Sequence, residues 1–196
     1  PSTHGGSCWF NQGTSTYLSI TDATAFDFGT ADYCIEFWAR PTNSMNTSWA
    51  MPFGTSGVNQ YWGWTSGGGV EANAGFSTYP AGGYSGDFDH NPCWNAWNHC
   101  VYQVTSGYEN WYLNGKQIYN AQNNPSYSAS ATGMYIGKTA NYASNYMYAG
   151  YLSDVRIIKG NGYNPYSNAS TLTVPTAPLT KTSYTTLLLN LSLIHI

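Results

Sequence analysis

Apolar and polar positions along this chain alternate in short runs, and no stretch of a dozen residues keeps a helical period. That pattern predicts strands. The clearest run is Tyr33–Arg40 (YCIEFWAR). Tyr33, Ile35, Phe37 and Ala39 fall on one face of it, and Cys34, Glu36, Trp38 and Arg40 on the other. Further strands are expected at Cys8–Phe10, Tyr17–Ile20, Trp49–Gly54, Tyr61–Thr65 and near Val70–Ala74. Others follow at Trp97–Thr105, Glu109–Leu113, Lys116–Tyr119, Met134–Gly137, Tyr148–Ile158 and Thr186–Asn190. Asn114-Gly115 predicts a two-residue hairpin turn, because both residues tolerate positive φ. Gly75–Asn95 is rich in Gly, Tyr, Asp and Pro and reads as a long loop, a type of segment that often carries function. Asn161–Tyr184, with three prolines, reads as irregular.

Many short strands with no helices between them imply an all-β, two-sheet antiparallel jelly-roll sandwich. No internal repeat or linker divides the chain, so residues 1–190 read as one domain. Alternation places Phe10, Leu18, Phe28, Ile35, Phe37, Val101, Leu113, Ile136, Val155 and Ile157 in its core, with Trp38 and Trp97 also structural.

Composition narrows the function. Charged residues make up only 8% of the 196, while aromatics reach 17%, with 18 Tyr and 8 Trp. So much ring surface must be buried or used for binding. A net charge of −3 and six scattered Lys and Arg leave no electrostatic footprint for nucleic acid. No apolar run approaches the roughly 20 residues of a membrane span. Of Cys8, Cys34, Cys93 and Cys100, none forms a CxxC pair, which argues against zinc. Three full disulfide pairings are open to them, beside free thiols buried in strands. Pro1 reads as a cut point in a longer protein. Leu191–Ile196 (LSLIHI) matches the translated end of a sequencing-library transposon adapter and is set aside from function; the alternative is a genuine strand end.

Several ordered segments resemble the laminin-G-like jelly rolls of the concanavalin A-like lectin/glucanase superfamily. They are TYLSI (16–20), FDFGTADYCIEFWARP (26–41), WNHCVYQV (97–104), WYLNGKQI (111–118), MYIGK (134–138), GYLSDVRIIKG (150–160) and VPTAPLT (174–180) followed by TTLLLN. The resemblance covers nearly the whole chain and is closest to domains of phage tail and other virion proteins. It implies a binding or structural module appended to a larger protein, on a virion or at a cell surface.

Retaining glucanases of that superfamily carry Glu-x-Asp-x-Glu on one strand, whose outer carboxylates stand roughly 5 Å apart. Here the comparable positions are Asp32, Cys34 and Glu36, so the middle acid is missing. Glu36 is expected to be a structural charge anchored by Arg40 or Arg156, and His99 a hydrogen-bonded structural histidine. No G-x-S-x-G, H-E-x-x-H or phosphate-cradling loop is present. The expectation is a module without catalysis. Asp87, Asp89 and Asn91 place oxygen ligands at alternate positions and suit Ca2+. Pro92 and Asn98 stand where an EF-hand needs Gly and Glu, so the alternative is an ordinary Asp/Asn turn.

Candidate ligand-binding residues are Trp62 and Trp64 in the alternating Tyr61–Trp64 run, with core packing as their alternative. To these the loops add Tyr79, Tyr84 and His90, then Asn141, Tyr142 and Tyr146. Sugars stack on such rings while amides take their hydroxyls. The expected partners are a glycan or host-surface polysaccharide and the other domains of the parent protein, with neither nucleic acid nor membrane insertion. The competing readings are a protein-packing domain of a phage particle and a glucanase-like glycoside hydrolase.

Overall fold

The computed structural model describes residues 5–11, 16–42, 49–56, 61–66, 74–79, 95–122, 132–138, 147–160, 166 and 169–191. Among these, the strands run β1 (Cys8–Phe10), β2 (Leu18–Ile20), β3 (Tyr33–Pro41), β4 (Trp49–Ser56), β5 (Tyr61–Ser66) and β6 (Ala74–Tyr79). They continue β7 (Asn98–Thr105), β8 (Tyr108–Leu113), β9 (Lys116–Gln122), β10 (Gly133–Ile136), β11 (Gly150–Lys159) and β12 (Thr185–Leu189). A seven-stranded sheet has the order β1-β11-β3-β7-β8-β9, with β12 also on β11. β1 pairs with Gly150–Leu152 and β12 with Val155–Ile158, so two strands share β11 end to end. A five-stranded sheet has the order β2-β10-β4-β5-β6. All these strand pairs are antiparallel, as the alternation implied.

The core lies between the sheets. β3 contributes Tyr33, Ile35, Phe37 and Ala39, and β7 contributes Cys100, Tyr102 and Val104. Phe28 stacks on Tyr33 at 4.1 Å, and Phe37 meets Phe53 at 4.8 Å. Of the expected core residues, Phe10, Phe28, Ile35, Phe37, Ile136, Val155 and Ile157 are in this cluster, and Leu18 and Leu113 pack half-buried against it. Val101 is buried as expected, but in a second cluster. Its neighbours Cys100 and Tyr102 face the core, so the period of two sends Val101 to the outer face, where it is buried beside Cys34, Tyr112 and Ile158.

Two departures follow from local chemistry. A one-turn helix, α1 (Ala23–Phe26), precedes β3; the Asp22 side chain accepts from the Ala25 amide at 3.0 Å, and Phe26 is buried. One turn is too short to show a period in the sequence. The segment expected to open a long loop at Gly75 instead forms β6, pairing with β5 from Ser66–Ala74 to Tyr61–Tyr79. Of the strand expected near Val70–Ala74, residues 70–73 lie outside the described residues and Ala74 begins β6. Glycine lowers strand propensity, yet partner hydrogen bonds along β5 override it.

The hairpin forms as expected, with Asn114 at φ 49° and Gly115 at φ 82° joining β8 to β9. The chain after β11 then crosses the outer face of the large sheet. Tyr166 and Leu172 pack over Cys34, Val101, Tyr112 and Ile158. The Leu172 amide donates to the Gly115 carbonyl at 2.6 Å, and the Gln117 amide to the Ser170 carbonyl at 3.0 Å. A Cβ on Gly115 would stand 2.6 Å from the Leu172 carbonyl oxygen. Gly115→Ala should therefore cost at least about 1–2 kcal/mol for its left-handed backbone alone, and should loosen this crossing segment. Urea unfolding and limited proteolysis within residues 169–180 measure both effects; unchanged stability and cleavage would show that the segment is not seated on the turn.

Candidate functional site

The outer face of the seven-stranded sheet is built of rows that register dictates. Cys34 lies beside Ile158 and Gln103, and Glu36 beside Arg156 and Val101. Trp38 lies beside Ser153 and His99, and Arg40 beside Tyr151. A bulge between Ser153 and Arg156, with Asp154 at φ 45°, brings Arg156 opposite Glu36.

Glu36 is 0% exposed. Arg156 donates to its Oε2 from Nε at 3.2 Å and from Nη2 at 2.5 Å. His99 Nε2 lies 2.9 Å from Oε1, and the Tyr166 hydroxyl donates to the same oxygen. Burial alone would raise the Glu36 pKa. The His99 hydrogen bond, the Arg156 charge and the Tyr166 hydroxyl together bring the carboxyl below its ordinary value. Burial and the adjacent carboxylate push the Tyr166 hydroxyl up, so it remains a donor. Burial, and secondarily Glu36, also push the Cys34 thiol up, so it is no nucleophile at neutral pH. The expected anchor for Glu36 is thus Arg156 and not Arg40, and His99 is hydrogen-bonded as expected. Asp32 does not belong to this group: its Oδ1 accepts from the Ser106 amide at 2.9 Å and supports the β7–β8 turn. This arrangement holds a carboxylate fixed and dry. Among the described residues, the hydrogen-bond partners of this carboxylate are Arg156, His99 and Tyr166, and none of them is a second acid of a retaining pair.

The sequence-based binding candidates fare differently. Trp62 is 0% exposed, with Phe28, Tyr33 and Tyr102 around it at ring distances of 5.7, 6.2 and 6.4 Å. Its ring is core, so no sugar can stack on it, and that expectation is corrected. Trp64 lies in β5, its backbone opposite Ala50 and Phe76. Tyr79 ends β6 and is not a loop residue. Tyr84, His90, Asn141, Tyr142 and Tyr146, and the calcium candidates Asp87, Asp89 and Asn91, lie outside the described residues. Among the described residues no group of three or more His, Cys, Asp or Glu could hold a metal ion. Among the described residues Cys8, Cys34 and Cys100 form no disulfide with one another, and Cys93 is outside the described residues.

A group the sequence reading did not assemble stands at the far end of the same outer face. Trp9 pairs with Tyr151, Tyr151 with Arg40, and Trp97 follows on β7's side. The Trp9 and Tyr151 rings are 4.8 Å apart and inclined by 51°; Trp97 and Tyr151 are 6.4 Å apart and inclined by 52°. The Arg40 guanidinium carbon lies 5.8 Å from the Tyr151 centroid, and its Nε donates to the Asn95 carbonyl at 3.1 Å. Trp9 is 42% exposed, Arg40 is exposed, and Tyr151 and Trp97 are half-buried. Parity was the available signal: Phe10 and Ala39 face the core, so Trp9 and Arg40 face out. On the other sheet, Lys138 Nζ is held 3.7 Å from the Tyr17 ring and 4.4 Å from Tyr135, so its charge is already engaged.

Known proteins bear on this geometry. Domains LG4-5 of the mouse laminin alpha1 chain superpose with a TM-score of 0.49 at 17% identity, covering 78% of this chain and 40% of that one. A putative carbohydrate binding protein from Bacteroides ovatus gives 0.52 at 15% identity, covering 78% and 42%. Tailspike protein 2 from Escherichia coli O157:H7 bacteriophage CAB120 gives 0.50 at 12% identity, covering 83% and 24%. The chain spans less than half of each of these structures, and at identities this low the latter two bear on the fold alone. The sequence has no match among curated proteins. The laminin G profile of the concanavalin A-like lectin/glucanases superfamily matches residues 12–161, most of the chain. With two antiparallel sheets enclosing one core and this match running from before β2 to the end of β11, the chain belongs to the concanavalin A-like lectin/glucanase superfamily, as a laminin G-like domain.

Proposed function

We propose that this domain is a non-catalytic carbohydrate-binding module of a larger extracellular or virion protein. One observation carries the reading. The acid that would serve a glucanase, Glu36, is buried and held by Arg156, His99 and Tyr166. A sandwich of this superfamily whose candidate acid is sequestered in this way is suited to recognition. Its fold is shared with a protein named as a putative carbohydrate binding protein and with a phage tailspike, which fits such a module. The ligand in this reading is a glycan such as a host-surface polysaccharide, and the other partner is the rest of the parent protein. In this reading Asp87, Asp89 and Asn91, whose alternate spacing in the sequence suits Ca2+, would be its ligands. No helix among the described residues is long and apolar enough to cross a membrane.

Electrophoresis of the chain through gels containing soluble polysaccharides, with released reducing ends measured in parallel, tests the reading. Retardation by at least one polysaccharide without new reducing ends is expected. Release of reducing ends that disappears in Glu36→Gln would establish the hydrolase instead.

A further inference from the structure

We propose that the row Trp9, Tyr151, Arg40 and Trp97 is the saccharide platform, and that its occupant is an acidic glycan bearing carboxylate or sulfate groups. The inference rests on the carbohydrate-binding reading above and moves the site from the loops to the sheet. Three neighbouring strands, β1, β11 and β3, contribute Trp9, Tyr151 and Arg40, and Trp97 directly precedes β7, so the row is anchored on the sheet beneath it. With neighbouring strands about 4.8 Å apart, it spans roughly 14 Å, which suits a short oligosaccharide.

The two ends of this face differ. Tyr166 and Leu172 cover the end with Cys34 and Val101, and the ion pair of Glu36 and Arg156 is buried there. At the other end an indole is left 42% exposed. Exposing it forgoes hydrophobic stabilisation that burial would supply, and exposed, rigid aromatics of this kind are what ligands stack on.

Arg40 sets the ligand's charge. Its Nε bond to the Asn95 carbonyl and its place beside the Tyr151 ring hold the guanidinium across the row. Among the described residues its two terminal nitrogens make no hydrogen bond, and the row contains no acid to neutralise it. A planar guanidinium with two such donors matches a carboxylate or sulfate in the two-pronged way that a neutral hydroxyl cannot.

An array pairing acidic glycans, uronate-, sialate- and sulfate-bearing, with their neutral counterparts tests the proposal. The intact chain is compared with Trp9→Ala and Arg40→Gln, and thermal unfolding checks that both exposed-site variants stay folded. The intact chain should prefer the acidic members. Arg40→Gln should weaken them by about tenfold and erase the preference, and Trp9→Ala should weaken binding by roughly tenfold or more. Acidic glycans bound equally by all three proteins would overturn the platform while leaving the carbohydrate-binding reading intact. Neutral glycans bound as tightly as acidic ones would overturn the ligand class. No binding to any glycan, or capture of the row by another domain of the parent protein instead, would overturn the proposal and the reading beneath it.

Discussion

Arg156→Ala should destabilise the domain by about 3–5 kcal/mol, because it leaves a buried carboxylate without its cation. Glu36 has no exposure through which water could replace the guanidinium. His99 and Tyr166 would still donate to Oε1, but neither carries the fixed charge that Arg156 aims at Oε2 from Nε and Nη2. Replacing the pair together, Glu36→Leu with Arg156→Met, should restore most of the loss, since burying a pair yields little more than packing apolar groups of similar size. Urea unfolding reads both effects as a shift in midpoint at constant slope. The pair also makes stability depend on pH. The folded carboxyl binds its proton less readily than the unfolded one. Its contribution is therefore full above the unfolded value of about 4.3 and is lost as pH falls through the lower folded value. In the double replacement this acid-side loss should shrink. An Arg156→Ala midpoint equal to that of the parent would show that the ion pair does not hold this face.

Trp62→Ala should cost a similar amount, about 3–5 kcal/mol, by opening a cavity the surrounding rings cannot fill. Phe28 meets the indole edge-on at 86°, and Tyr33 at 77°. Phe28 is itself pinned against Tyr33, nearly parallel at 11°, so relaxation into the space is limited. Trp9→Ala, at an exposed ring, should leave stability nearly unchanged and lower glycan affinity instead. The two tryptophans thus separate packing from recognition within one residue type. Calorimetric unfolding and glycan binding of both variants measure the contrast; a Trp62→Ala chain of parental stability that no longer bound glycan would reverse their roles.

How much of this was legible varies with the range of the interaction. The two faces of β3 could be read from YCIEFWAR alone, because the period of two is local. Which cation meets Glu36 could not. Arg40 is four residues along the same strand, roughly 13 Å away at about 3.3 Å per residue, whereas Arg156 arrives through a bulge more than a hundred positions later. The outward parity of Trp9 and Arg40 was likewise available, but their meeting with Tyr151 and Trp97 depends on register across four strands. For Trp62 the alternating Tyr61–Trp64 run has two equally apolar-looking faces, and only Phe28, Tyr33 and Tyr102 decide which is core. The side of the sheet that Val101 joins was hidden for a related reason. Its strand is buried on both faces, so hydrophobicity alone could not say which face it joins. The loop candidates Tyr84, His90, Asn141, Tyr142 and Tyr146 lie outside the described residues.

The most direct measurement is a glycan array probed with the purified chain at millimolar calcium and again with a chelator. The account predicts retention on a defined subset of glycans with every glycan left intact; loss under chelator that is reproduced by Asp87→Asn with Asp89→Asn would assign the calcium to those residues. A chain that binds no glycan under either condition would contradict the account.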